Sequence, residues 1–245
     1  MLISVGNIIS KSVDLYKKNT QLFLTYVGVM LIPNALIQII TATFFLGNLN
    51  FFILGLLTFL AGLANIWISL AFIRVVAAKY VGAASTDIKD ELLNVKNIFL
   101  AAIIASLLAA LAIFAGVILL IIPGIIVAVW FAFGLYAVAI DNKDGVEALK
   151  ASKQLVQGRW WAVFWRLVAP AIVFGILTIV VQGIGELIFG SLGNAFGIVV
   201  GLLGGVLVTA AALLVFPLST AAPTILYIEL KKTPVANNPA PATKA

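Results

Sequence analysis

Few side chains in this 245-residue chain could do chemistry. Arg74 and Glu186 each interrupt a long apolar run. An ionised group near mid-bilayer costs about 2.5–3.5 kcal/mol on insertion scales, so either one, if deep, would mark an ion or headgroup site. About 20 helical residues from Trp160 reach the far interface near residue 180, which would leave Glu186 wet. For Arg74 the plain alternative is snorkelling towards the near interface together with Lys79.

Uncharged polar residues recur at helical spacing inside the apolar runs. Asn34, Gln38 and Thr41 share one face; Thr58, Asn65 and Ser69 share another; Thr178, Gln182 and Glu186 share a third. Polar groups at membrane depth need partners, so these faces are expected to turn inward and towards one another. They would supply hydrogen bonds between helices, or a polar groove for a lipid headgroup or small solute. Gly193, Gly197, Gly201 and Gly205 repeat the small-xxx-small spacing expected of a packing face on the last span, within the bundle or between two chains. With no histidine and no cysteine, thiolate or imidazole metal sites and Ser-His or Cys-His nucleophiles are excluded. The apolar runs also hold no carboxylate pair, no H-E-x-x-H and no P-loop, so catalytic residues, cofactors and metals are not expected.

The elements that must position these residues are membrane helices. Hydrophobic residues make up 63% of the chain and charged residues 10%, against about 25% charged in soluble domains. The expected fold is an all-α integral membrane protein, a single polytopic domain over residues 1–232. Its spans are read at 21–46, 51–79, 97–122, 124–140, 160–189 and 195–228. Residues 97–140 would make one straight helix of about 66 Å against a hydrocarbon core of about 30 Å, so the chain is expected to double back at Pro123-Gly124. Pro217 and Pro223 are expected to kink the long last segment. The tail from Thr233, TPVANNPAPATKA, reads as disordered.

Charge placement agrees with six spans. All 15 Lys and Arg residues lie near the two ends or near connections 80–96 and 141–159, whereas connections 47–50, 123–124 and 190–194 carry no charge. The positive-inside rule then puts both termini in the cytoplasm. The first twenty residues lack the pattern of a cleaved secretory signal, so an uncleaved first helix is expected. The net charge of +6 belongs to this inner side, and nucleic acid is not an expected partner.

Residues 144–160 form an amphipathic wheel. Glu147, Lys150, Gln154 and Gln157 gather on one face with Lys153 at its edge; Ala148, Leu149, Ser152, Leu155, Val156 and Trp160 gather on the other. This predicts an interfacial helix, followed by Arg159, an aromatic belt of Trp160, Trp161 and Trp165, and a snorkelling Arg166. A similar lead-in precedes the first span, with Ser12 aligned to Ser152, and STDIKDELLNVKN at 85–97 precedes the third. The chain thus reads as three tandem units, each a surface helix and two spans.

The Pro-Gly turn, DNKDGVEALKASKQLVQGRWW and the closing TILYIELKK resemble the YciC-like integral membrane family, and are similar to the membrane domain attached to some glycerophosphodiester phosphodiesterases. The resemblance covers residues 120–232, with Glu147, Ala148, Leu149, Ser152, Leu155, Gly158, Trp161, Leu226, Tyr227, Glu229 and Leu230 at pattern positions; Trp130 stands where many relatives carry arginine. The soluble phosphodiesterase barrel has no counterpart, so hydrolase activity is not implied. What the resemblance implies is a six-span membrane protein.

The expected function is that of a structural or accessory protein of the cytoplasmic membrane, organising lipid or a partner complex. Its expected partners are membrane lipids and a second copy or another membrane protein. The alternative is a transporter or lipid-translocating protein. In this cysteine-free chain, single cysteines at Asn48 or Ser191 should react with an impermeant thiol reagent only from outside, and one at Lys150 only from inside. Labelling of Ser191→Cys solely from the cytoplasm would refute the topology.

Overall fold

A computed structural model describes residues 2–45, 47, 50–83 and 87–234. The tail from residue 235, position Asn48 and the start of the 85–97 lead-in lie outside the described residues. The helices are α1 (Val5–Lys18), α2 (Thr20–Phe45), α3 (Phe51–Tyr80), α4 (Ile88–Asn94), α5 (Lys96–Leu119), α6 (Ile121–Phe131), α7 (Gly134–Asp141), α8 (Gly145–Val156), α9 (Trp160–Phe196), α10 (Ile198–Leu213) and α11 (Phe216–Lys232). No strand occurs among the described residues. Among the described residues, six segments are long and apolar enough to cross a membrane: α2, α3, α5, α6 with α7, α9, and α10 with α11. The chain is an all-α, multi-pass membrane protein. A short helix, α1, α4 or α8, stands before each pair of apolar segments, so the order of elements repeats three times.

The residues gather into two compact units. One holds the described residues within Met1–Ser12, Leu70–Pro170 and Thr220–Ala245; the other holds those within Val13–Ser69 and Ala171–Ser219. The first unit has an aromatic centre, with the Phe133 ring 6.2 Å from Tyr136 and 5.8 Å from Tyr227, and it buries Ile8 and Ser12 of α1 completely. The second packs α2 on α10 and closes α9 on α10 as a hairpin.

That hairpin corrects two expectations. The fifth span does not stop at residue 189; α9 runs to Phe196, and the turn falls at Gly197, whose φ of 95° suits glycine. The glycines at 193, 197, 201 and 205 are therefore not one stripe on the last span. Gly193 belongs to α9, Gly197 is the turn, and Gly201 and Gly205 belong to α10. Small residues meet across the hairpin instead: a Cβ on Gly193 would lie 2.7 Å from Gly201 Cα, one on Gly204 would lie 2.4 Å from Phe189 Cβ, and one on Gly185 would lie 2.4 Å from a Val208 methyl. The physical reason is that a four-residue spacing carried through a turn places successive glycines on facing helices, where they permit close approach.

The Pro-Gly pair is also displaced from its expected role. The chain turns at Leu120, which is extended at φ −171° and ψ 153°, so Pro123 sits in the first turn of α6, where a missing N–H leaves no intrahelical bond unmade. Gly124 serves packing: a Cβ on Gly116 would come within 2.9 Å of its Cα. Likewise the last segment breaks at Leu214 and Val215, ahead of Pro217, which occupies the first turn of α11, while Pro223 lies inside that helix.

The facing glycines are not equivalent, because a Cβ on Gly201 would meet Gly193 Cα only at an ordinary 3.5 Å. Gly193→Ala should therefore destabilise the protein by about 1–3 kcal/mol, the usual cost of overpacking, while Gly201→Ala is tolerated. Thermal unfolding of both variants in detergent tests this, and equal loss in the two would contradict the seam.

Candidate functional site: a charged cleft at helix ends

Arg74 lies near the end of α3, one turn before Ala77 and Ala78 on the same face. Its guanidinium does not snorkel alongside Lys79. It is 26% exposed, and it turns into the protein, with Nε donating to Glu91 Oε2 at 3.1 Å and Nη1 donating to Ala139 O at 3.2 Å and Asn142 Oδ1 at 3.0 Å. Each acceptor is supplied by local chemistry. Asp87 accepts from Ile88 N and starts α4, whose first turn favours the acids Asp90 and Glu91. Asn142 ends α7 at φ 51°, a left-handed position that asparagine tolerates. A guanidinium can serve three acceptors in one plane, which a lysine ammonium cannot reproduce.

A second set of polar groups adjoins the first. Tyr227 donates to Asp141 Oδ2 at 2.7 Å, and Lys231 donates to Asp141 Oδ1 at 2.6 Å. Lys11 donates to the Tyr80 hydroxyl at 2.9 Å, Tyr80 donates to Glu229 Oε1 at 2.8 Å, and Lys232 donates to the same oxygen at 2.8 Å. The hydrogen bond to Tyr80 raises the pKa of Lys11 above its ordinary value, outweighing partial desolvation. Between these groups opens a cavity of about 510 Å³ lined by Arg74, Lys231, Lys232 and Glu91, with Ala77, Ala78, Val81, Ala139, Ile140 and Ile228 as apolar wall. The lining thus carries three cations, one carboxylate and a greasy side, a chemistry that suits an amphiphile with an anionic head.

The other sequence-predicted residues are dispersed. Asn34 Nδ2 donates to Asn65 Oδ1 at 3.0 Å and to Met30 O, so the α2 and α3 faces do meet. Ser69 is half-buried one turn beyond Asn65, and Gln38 packs on Gly205, its buried Oε1 without a hydrogen-bond partner among the described residues. Gln182 and Glu186, by contrast, are exposed on α9. Their face does not turn inward, because Gly185, Phe189 and Gly193 take the seam with α10.

On α8, Glu147, Lys150 and Lys153 are exposed and Ser152 is fully buried. Its hydroxyl donates to Trp130 O at 2.6 Å and accepts from Phe133 N at 3.0 Å, bridging the break between α6 and α7. Arg159 donates to Leu230 O and to the carbonyl of Thr233, closing the end of α11 as basic groups do at helix C-termini. Trp160 Nε1 donates to Ile126 O at 3.3 Å, whereas Trp161 remains exposed. Arg166 does not snorkel freely; it donates to Ile3 O at 2.5 Å and to Ala162 O.

Sequence reasoning missed Glu91, Asp141, Asn142, Lys231 and Lys232 as partners in a site. Tyr227 and Glu229 were visible only as positions of a family pattern. The one available signal was that every acid outside the α9 apolar run lies in the Lys- and Arg-bearing segments that flank the apolar runs.

Residues 20–230 match the family described as Domain of unknown function (DUF7847). The chain belongs to this family. No curated protein and no solved structure matches it.

Replacing Arg74 by lysine keeps the charge but cannot serve Glu91, Asn142 and Ala139 O together. Arg74→Lys should lower stability by about 1.5–3 kcal/mol, the scale of hydrogen bonds to a charged group. Unfolding in lipid discs reads the loss, and a variant as stable as the parent would show that the fork is not needed.

Proposed function

We propose that this is a multi-pass protein of the cytoplasmic membrane, both termini cytoplasmic, that acts as a structural or accessory protein by holding an anionic lipid headgroup in the Arg74–Lys231–Lys232 cleft. The observation that carries the reading is the cleft itself, where Arg74, Lys231 and Lys232, each bridged on one side by a carboxylate, stand beside an apolar wall formed by Ala77, Ala78, Val81 and Ile228. Juxtamembrane basic residues attract anionic lipid by about 1 kcal/mol each. The positive-inside pattern supports the orientation. No catalytic role is included in the proposal, nor a cofactor. The residues from EALKASKQLVQGRWW to TILYIELKK support, as part of the same proposal, kinship with the YciC-like proteins.

A second reading, translocation of lipid or solute, is favoured by Gln38, whose buried carbonyl oxygen beside Gly205 lacks a partner among the described residues. A polar group left unsatisfied in an apolar bundle would suit a site that a passing ligand completes.

Native mass spectrometry with added phosphatidylglycerol or phosphatidylcholine tests the first reading. The parent should retain phosphatidylglycerol preferentially, and Lys231→Gln with Lys232→Gln should weaken that retention by about tenfold or more. Competition by inorganic phosphate would show that a phosphate suffices without its lipid. Equal retention of the two lipids by the parent would refute the cleft as a headgroup site. Lipid flux in proteoliposomes that Gln38→Leu abolishes would favour translocation instead.

A further inference from the structure

The polar face of α8 constrains its neighbours. Glu147, Lys150, Lys153, Gln154 and Gln157 are all exposed, while Gly145, Ala148, Leu149, Ser152 and Val156 are buried. The buried face runs antiparallel along α7 and then α6 in steady register. A Cβ on Gly134 would lie 2.7 Å from Leu149 Cδ2, Ser152 bonds to Trp130 and Phe133, and Lys153 Nζ stands 4.6 Å from the Trp130 ring centroid. Past the end of α8, Trp160 reaches Ile126 O, and Gln157 and Gly158 line the same groove as Ile122 and Ile125.

This register conflicts with an upright crossing by α6 and α7. Ile121–Asp141 is long enough to cross, but at about 1.5 Å per residue Trp130 would lie about 16 Å from the Asp141 end, half-way through a core of about 30 Å. Lys153 would sit beside it at mid-bilayer with its side facing lipid, Lys150 would be one turn shallower, and Gln157 would be deeper. A lysine there is strongly disfavoured, and neither has a carboxylate bridging it among the described residues. Laid along the interface, the same helices put α8's polar face in water. Leu111, Phe114, Ile118, Leu119 and Ile121 of the α5–α6 hairpin, all exposed, then enter acyl chains. Exposed Trp161 and Trp165 would mark the headgroup level.

We infer that α5, α6 and α7, backed by α8, form a hairpin wedge that inserts into one leaflet and returns to the same side, its partner being the acyl chains of that leaflet. Four of the six apolar segments then cross fully. The charge pattern is satisfied equally well, because the uncharged tip at Leu119–Ile122 never needs to reach the far surface. This inference is independent of the headgroup cleft, whose test reads lipid retention rather than labelling.

Single cysteines at Lys17, Lys153, Leu120 and Ser191, probed with an impermeant maleimide in sealed vesicles of both orientations, test it. Lys153→Cys should label from the Lys17 side alone. Leu120→Cys should lose labelling from both sides, and a bimane attached there after solubilisation and reconstitution should be quenched by acyl-brominated lipid. Labelling of Leu120→Cys from the side on which Ser191→Cys reacts would overturn the wedge, as would protection of Lys153→Cys from both sides. Val117→Cys serves as the tip probe should Leu120→Cys fail to fold.

Discussion

A guanidinium near the end of an apolar helix must be paid in hydrogen bonds, and the arrangement of one unit follows from how Arg74 obtains them. Its three acceptors come from α4, from the last turn of α7 and from Asn142 just beyond it. Satisfying the fork ties the end of α3 both to the next helix, α4, and to α7, 65 residues further along the chain. Glu91 is left only 12% exposed at its side chain, so the ion pair works in a medium less screening than open water. The neighbouring network from Lys11 through Tyr80 and Glu229 to Lys232 repeats the device between α1, α3 and α11. The cavity opens where these two networks adjoin.

The apolar packing is governed by a different constraint, the need for close approach. Hydrophobicity cannot select partners between helices bathed in lipid, so small residues and satisfied polar groups do. Gly193 against Gly201 and Gly204 against Phe189 set the α9–α10 hairpin, and Gly116 against Gly124 sets that of α5 and α6. Ser152 does comparable work with a hydroxyl. By bonding both a carbonyl and an amide at the α6–α7 break, it keeps irregular backbone satisfied where water has no access. The same contact holds α8 in the register from which the wedge is inferred.

Much of the architecture was legible before any contact was known. Length and apolarity identify the long helices, and the wheel of residues 144–160 matches the exposed and buried faces of α8. Turn positions were legible only approximately. Pro123-Gly124 and Pro217 announce that a helix is interrupted nearby, yet proline is equally content in the first turn of the next helix, and the breaks lie a few residues earlier. The glycine repeat was visible as a spacing, but spacing alone does not say whether a turn falls within it. At Gln182 and Glu186 the inward face failed because an apolar seam on the same helix took precedence.

Composition, periodicity and length therefore determine by themselves that this is an all-helical, multi-pass membrane chain and where its charges fall between the apolar segments, because both properties are written within single segments and their flanks. Tertiary structure alone decides that Arg74 meets Glu91 and Asn142, that Gly193 faces Gly201, and that α8 lies along α6 and α7. Such pairings depend on the register of one helix against another, and in a chain built almost wholly of apolar residues many registers look alike until a few polar and small side chains choose between them.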